Sequence, residues 1–143
     1  MDTYGLRKTA HIFGALALED ASFHYCFAPV FNGHTFHLFL MQLVEAYKGR
    51  KIFLIIDNGP CHWLDDEGKR WLGENGQLIE LFRLPPYSPE FNAIEGVWKV
   101  TRKTTTHNRF YHAVEERDGA LTATFTTFQK SPELLMPQVA RFQ

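Results

Sequence analysis

The segment from Lys51 to Lys103 sets the terms on which this chain can fold. It opens with KIFLIIDNGPCHWL, where an unbroken apolar run, Ile52 to Ile56, stops at Asp57 and Asn58 and is followed by Gly59-Pro60. A short apolar run closed by turn residues predicts a strand buried on both faces, as in a sheet covered by helices. An aspartate at the carboxyl tip of such a strand stands where ligands enter open α/β sheets. A second apolar run, Leu78 to Leu84, is broken by Pro85-Pro86, and the loop from Tyr87 to Asn92 leads to a helical stretch whose first turn carries Glu95. Thirty-eight positions separate Asp57 from Glu95, room for one crossover helix and a neighbouring parallel strand. That spacing can bring two carboxylates to one divalent cation.

The flanking sequence supplies the other elements. Thr9 to Leu18 and Ala21 to Phe31 read as two strands joined by a turn at Glu19-Asp20, with Gly14 marking a bulge or a close backbone approach. Thr35 is expected to cap a helix running to Tyr47, because Phe36, Phe39, Leu40, Leu43, Val44 and Tyr47 recur on one helical face. A second helix, Leu64 to Asn75, has Asp65-Asp66-Glu67 in its first turn, where the helix dipole favours acids, and Gly76 as its stop. A third, Ala93 to about Thr106, is expected to take Asn92 as cap and Glu95 as the reciprocal partner of a capping box, burying Ile94, Val97, Trp98 and Thr101. The last helix runs from about His112 to Gln129, and the proline-bearing tail from Ser131 reads as a surface extension. The predicted order is β-β-α-β-α-β-α-α.

At 143 residues, 45% apolar and 15% aromatic, the chain has material for one packed domain. Its formal charge of −1 excludes a whole-molecule basic field, so attraction to nucleic acid has to come from a local patch. Such a patch is available: Lys99, Arg102, Lys103, His107 and Arg109 form a basic stripe suited to phosphate contacts, although a solvated helix face has the same composition. Two cysteines, Cys26 and Cys61, read as free thiols. With no apolar run long enough to span a membrane, a cytoplasmic protein without a membrane partner is expected. His24, His34 and His37 match no zinc-ligand spacing. Taken alone, Asp57 and Glu95 are more readily a strand-end cap and a helix-start cap than metal ligands.

The residues DN-GP-x-H from Asp57 and LPPYSPEFNAIEGVW from Leu84 resemble the catalytic half of DDE transposases of mariner-like bacterial insertion sequences. These belong to the ribonuclease H/retroviral integrase superfamily. The resemblance runs from about Ile12 to His112, with Phe91 and Ala93 standing where the family often has Leu and Pro. It implies a ribonuclease H-like mixed α/β sheet flanked by helices, a catalytic domain over residues 1–130 and an extension over 131–143. It makes Asp57 and Glu95 catalytic ligands of Mg²⁺ or Mn²⁺, ions that prefer oxygen donors. Asn58 and His62 become candidates for contact with DNA, beside Lys99, Arg102, Lys103 and Arg109; a turn residue and a hydrogen-bonded structural histidine are the plainer readings. The implied activity is metal-dependent cleavage and strand transfer at insertion-sequence ends, with transposon and target DNA as partners and the bacterial nucleoid as the place of action.

The family's usual first strand, central in the sheet and bearing the first aspartate of the triad, is not evident in this chain. Asp2 and Asp20 are the only aspartates early enough to replace it, one in a terminal arm and the other in a turn. The slot is expected to be filled by an upstream segment, the Met1–Lys8 arm, or a partner chain such as a second copy. Two other readings share the fold: a non-catalytic transposase fragment that binds DNA or assembles with a full-length enzyme, and a free-standing nuclease of the superfamily.

Overall fold

The structure is a computed structural model that describes residues 10–107 and 109–143. The Met1–Lys8 arm, with Asp2, lies outside the described residues. The chain divides into two compact units, Ala28–Asn92 and Met1–Phe27 with Ala93–Gln143.

The unit of Ala28–Asn92 contains α1 (Gly33–Ala46), β3 (Ile52–Ile56), α2 (Asp66–Glu74) and β4 (Ile79–Arg83), strands β1 and β2 belonging to the other unit. Helix α1 buries Phe36, Phe39, Leu40 and Leu43, the i, i+3, i+4, i+7 stripe of its sequence. Its cap is Asn32 rather than Thr35. Asn32 Oδ1 accepts from Thr35 N at 2.8 Å and Thr35 Oγ1 accepts from Asn32 N at 3.0 Å, so Thr35 is the reciprocal partner three residues into a capping box. Gly49 then turns the chain with φ +89°, a conformation natural to glycine. Helix α2 starts two residues later than expected, is capped by Asp65, which accepts from Gly68 N at 2.8 Å, and closes at Asn75, just before the expected glycine stop.

Strands β3 and β4 pair in parallel, with Ile52 opposite Ile79 and Ile56 opposite Arg83. Lys51 and Glu80 form an ion pair at the start of the ribbon. The expectation of burial on both faces does not hold. Ile56 and Ile79 are buried, but Phe53 is 61% exposed, and Ile55 and Phe82 are exposed too. An unalternating apolar run cannot say how many of its faces a helix will cover; β3 is covered on one.

The other unit begins with β1 (His11–Leu16) and β2 (Phe23–Ala28), a pair closed by Ala17 N to Ser22 O and Ala21 N to Ala17 O bonds around the expected Glu19-Asp20 turn. It continues with α3 (Ile94–Thr101), α4 (Val114–Lys130) and α5 (Met136–Val139). Phe23, Val97, Leu121, Phe125, Phe128, Leu135 and Val139 form its core. The tail is therefore no surface extension: Leu135 and Val139 are both 0% exposed, because they close the core over α4.

Helix α3 is shorter than its apolar period predicts. After Thr101 the backbone widens into a π-helical turn over Arg102–Thr106, closed by His107 N donating to Arg102 O at 2.7 Å. The threonines supply the reason. Thr101 and Thr104 hydroxyls donate back to the carbonyls of Val97 and Val100 at 2.8 and 2.9 Å, a bond pattern that competes with the helical ladder and bends it. Thr105 Oγ1 meets Thr124 Oγ1 of α4 at 2.7 Å, and the Tyr111 hydroxyl bonds to Thr105 O.

Among the described residues there are four strands in two separate pairs. A hairpin, a parallel pair joined through a helix, and further helices make a mixed α/β fold of the ribonuclease H-like kind.

Candidate active site

The carboxyl end of the β3–β4 ribbon is built from sequence-local pieces. Strand β3 ends at Ile56, where the apolar run gives out, and delivers Asp57 to the edge. Leu84 N donates to Ile56 O at 2.8 Å, and the Asn58 side-chain amide donates to Leu84 O at 2.7 Å. Asn58 thus staples the two strand ends together; its partner is a backbone carbonyl.

Asp57 is only half-exposed, and one of its oxygens carries all its bonds. Oδ1 accepts from Gly59 N at 2.8 Å and from His62 Nδ1 at 2.6 Å. A carboxylate only accepts, so Nδ1 carries the hydrogen. Gly59-Pro60 turns the chain into a short 3₁₀ turn, Pro60–His62, which brings the imidazole back onto the aspartate five residues earlier. The His62 ring also packs against Phe36 of α1, centroids 5.0 Å apart. Oδ2 of Asp57 accepts no bond from the described residues.

Sequence reading missed Arg83, the last residue of β4. Its guanidinium donates to His62 O at 2.8 Å and lies 3.6 Å from the centre of the Trp63 ring. Burial lowers its pKa, and the Asp57 charge opposes that shift. The signal was present in the pairing: a cation closing the strand beside the aspartate strand, just before the double proline. Burial, and secondarily the Asp57 charge, push the Cys61 thiol pKa up, so Cys61 is a protonated neighbour rather than a reactive nucleophile.

Glu95 sits in the other unit, in the first turn of α3. The expected capping box is absent. Ala93, not Asn92, is the capping residue and makes no side-chain cap bond; Asn92 is buried instead. The Glu95 carboxylate makes no hydrogen bond or ion pair among the described residues. Lys99, Arg102, Lys103 and Arg109 are exposed, and none of their side chains forms an ion pair there either. Asp20, the alternative for the first aspartate, accepts from Ser22 N at 3.0 Å in its turn.

Among the described residues Asp57 keeps one oxygen and Glu95 both without a bond, and carboxylate oxygens are the hard donors that Mg²⁺ or Mn²⁺ take. The donor chemistry fits. Among the described residues no group of three His, Cys, Asp or Glu side chains converges on one point. No helix among them is long and apolar enough to cross a membrane.

These features define a mixed α/β domain with an aspartate at the carboxyl end of a parallel strand and a glutamate opening the helix that follows the neighbouring strand. The chain belongs to the DDE superfamily endonucleases, whose family model matches residues 1–117. No curated protein matches it.

Proposed function

We propose that this chain is the catalytic domain of an insertion-sequence transposase of the mariner-like kind, cleaving and joining DNA strands at transposon ends. The observation that carries the reading is the state of Asp57: two donors hold Oδ1, while Oδ2 at the strand edge accepts no bond among the described residues. In a domain of this family, Asp57 and Glu95 would hold Mg²⁺ or Mn²⁺, which activates the attacking oxygen and stabilises the leaving one. His62 and the Gly59 N–H fix the rotamer of Asp57, so that its free oxygen is presented without reorganisation. Asn58 holds the edge together. Its bond to Leu84 O uses one of its two N–H donors, so the exposed side chain keeps a second donor for the expected contact with DNA.

Lys99, Arg102 and Lys103 lie at i, i+3, i+4 spacing with Arg109 beyond them, free of ion pairs among the described residues. They are assigned to phosphates, which position DNA without reading its sequence. The DNA partners are the transposon ends and the target, which would place the protein at the bacterial nucleoid. A second copy or a partner chain is assigned the missing central strand, because a sheet edge left open exposes a row of unpaired backbone groups.

The test is strand nicking of a supercoiled plasmid and of transposon-end duplexes with Mg²⁺ or Mn²⁺. Activity lost in both Asp57→Asn and Glu95→Gln, with fold retained by circular dichroism, supports the enzyme. DNA or partner binding untouched by those substitutions, without nicking by the parent chain, identifies a non-catalytic binding module instead.

A further inference from the structure

The loop that leaves β4 beside Asp57 carries a side chain with no bonded or packed partner among the described residues. Tyr87 is 100% exposed, and it makes no hydrogen bond, ring contact or ion pair among the described residues. Its backbone is left-handed, with φ +58°. Pro86 before it and the positive φ at Tyr87 match a turn whose second central position normally falls to glycine. A bulky residue in that conformation costs free energy, and a solvated ring returns none of it through packing. For the fold alone, glycine would serve better at this position.

The platform beneath the ring is nevertheless well defined. Leu84 is bonded on both sides to the Asp57 edge, through Leu84 N to Ile56 O and Asn58 Nδ2 to Leu84 O. Pro85 and Pro86 stiffen the following step, Ser88 Oγ donates to Pro86 O at 3.2 Å, and Pro89–Phe91 closes as a 3₁₀ turn. A rigid stalk thus projects a bare aromatic ring from the strand edge that bears the candidate metal ligand.

We propose that Tyr87 stacks on an unpaired DNA base next to the phosphate undergoing cleavage. This rests on the DNA-processing reading above. A single aromatic ring covers the π-face of one base whatever its identity, which suits a base at a strand end or opened junction. Inside a duplex every base is stacked on both faces, so an internal base pair has no open π-face to offer. A protein partner would seek an apolar surround that excludes water from an anchoring ring, and a ring standing fully in solvent has none.

The experiment uses the full chain and two probes, a blunt duplex and the same duplex with a single-stranded tail bearing a fluorescent base analogue. The parent should bind the tailed duplex more tightly and quench the analogue. Tyr87→Phe should keep both properties. Tyr87→Gly should weaken binding of the tailed duplex about tenfold, the scale of one base–aromatic stack, leaving blunt-duplex affinity unchanged. Because glycine relieves the left-handed backbone, Tyr87→Gly should also melt no lower than the parent, so lost binding cannot be lost folding. Equal tailed-duplex affinity in Tyr87→Gly and the parent overturns the stacking role while leaving the DNA reading intact. A parent chain that binds neither probe overturns both.

Discussion

Replacing Gly14 by alanine separates two opposing effects whose sizes the structure fixes. Within a strand, alanine is ordinarily better than glycine by about 0.5–1 kcal/mol, because the unfolded chain has less freedom to lose. At Gly14 of β1 the added Cβ would lie 2.5 Å from Cη2 and 2.7 Å from Cζ2 of Trp98, and 3.2 Å from Cε1 of Phe23. The indole cannot step aside cheaply: it meets Phe23 edge-on at 6.1 Å and Phe125 at 6.2 Å, rings of the same core. Overpacking of this kind costs about 1–3 kcal/mol, so the clash wins and Gly14→Ala should destabilise by about 1–2 kcal/mol. Trp98 lies one turn beyond Glu95 on α3, so the same substitution displaces the helix that carries the candidate ligand. Urea unfolding followed by far-UV circular dichroism reads the loss as a lower midpoint at unchanged slope. In a Trp98→Leu background the penalty should vanish or change sign, the signature of a pairwise contact. A Gly14→Ala protein as stable as the parent, or an equal loss in both backgrounds, would refute the close-approach account.

Gly33→Ala should cost more than Gly14→Ala in the same urea assay, since its Cβ would lie 2.5 Å from Trp63 O and 2.8 Å from Asp65 N, backbone atoms that cannot rotate away. Iodoacetamide should label Cys61 more slowly than an ordinary thiol, with the rate rising only at higher pH as the raised pKa is approached. Asp57→Asn should speed labelling by removing one of the two causes of that shift, and mass spectrometry of the labelled peptide reads both rates. Removing residues 132–143 should destabilise the protein by about 3–6 kcal/mol, the worth of burying Leu135 and Val139, with calorimetry as the measurement.

What the sequence determined by itself was everything governed by near neighbours in the chain. The apolar run ending at Asp57, the helical stripe of Phe36, Phe39, Leu40 and Leu43, the acidic first turn of α2 at Asp66-Glu67 and the crossover that makes β3 and β4 parallel are local patterns with local causes. Gly14 was legible as a bulge or a close approach, and the Trp98 ring that makes it a close approach was not. Tertiary structure decided the rest, because those outcomes depend on distant residues meeting. The Glu95 capping box gave way to a helix starting after a buried Asn92, and the tail became core when Leu135 and Val139 found the face of α4. Arg83 and Tyr87 acquired their places only once two strand ends were stapled together. The period of a sequence says which side of an element is apolar; only the packed chain says what, if anything, covers it.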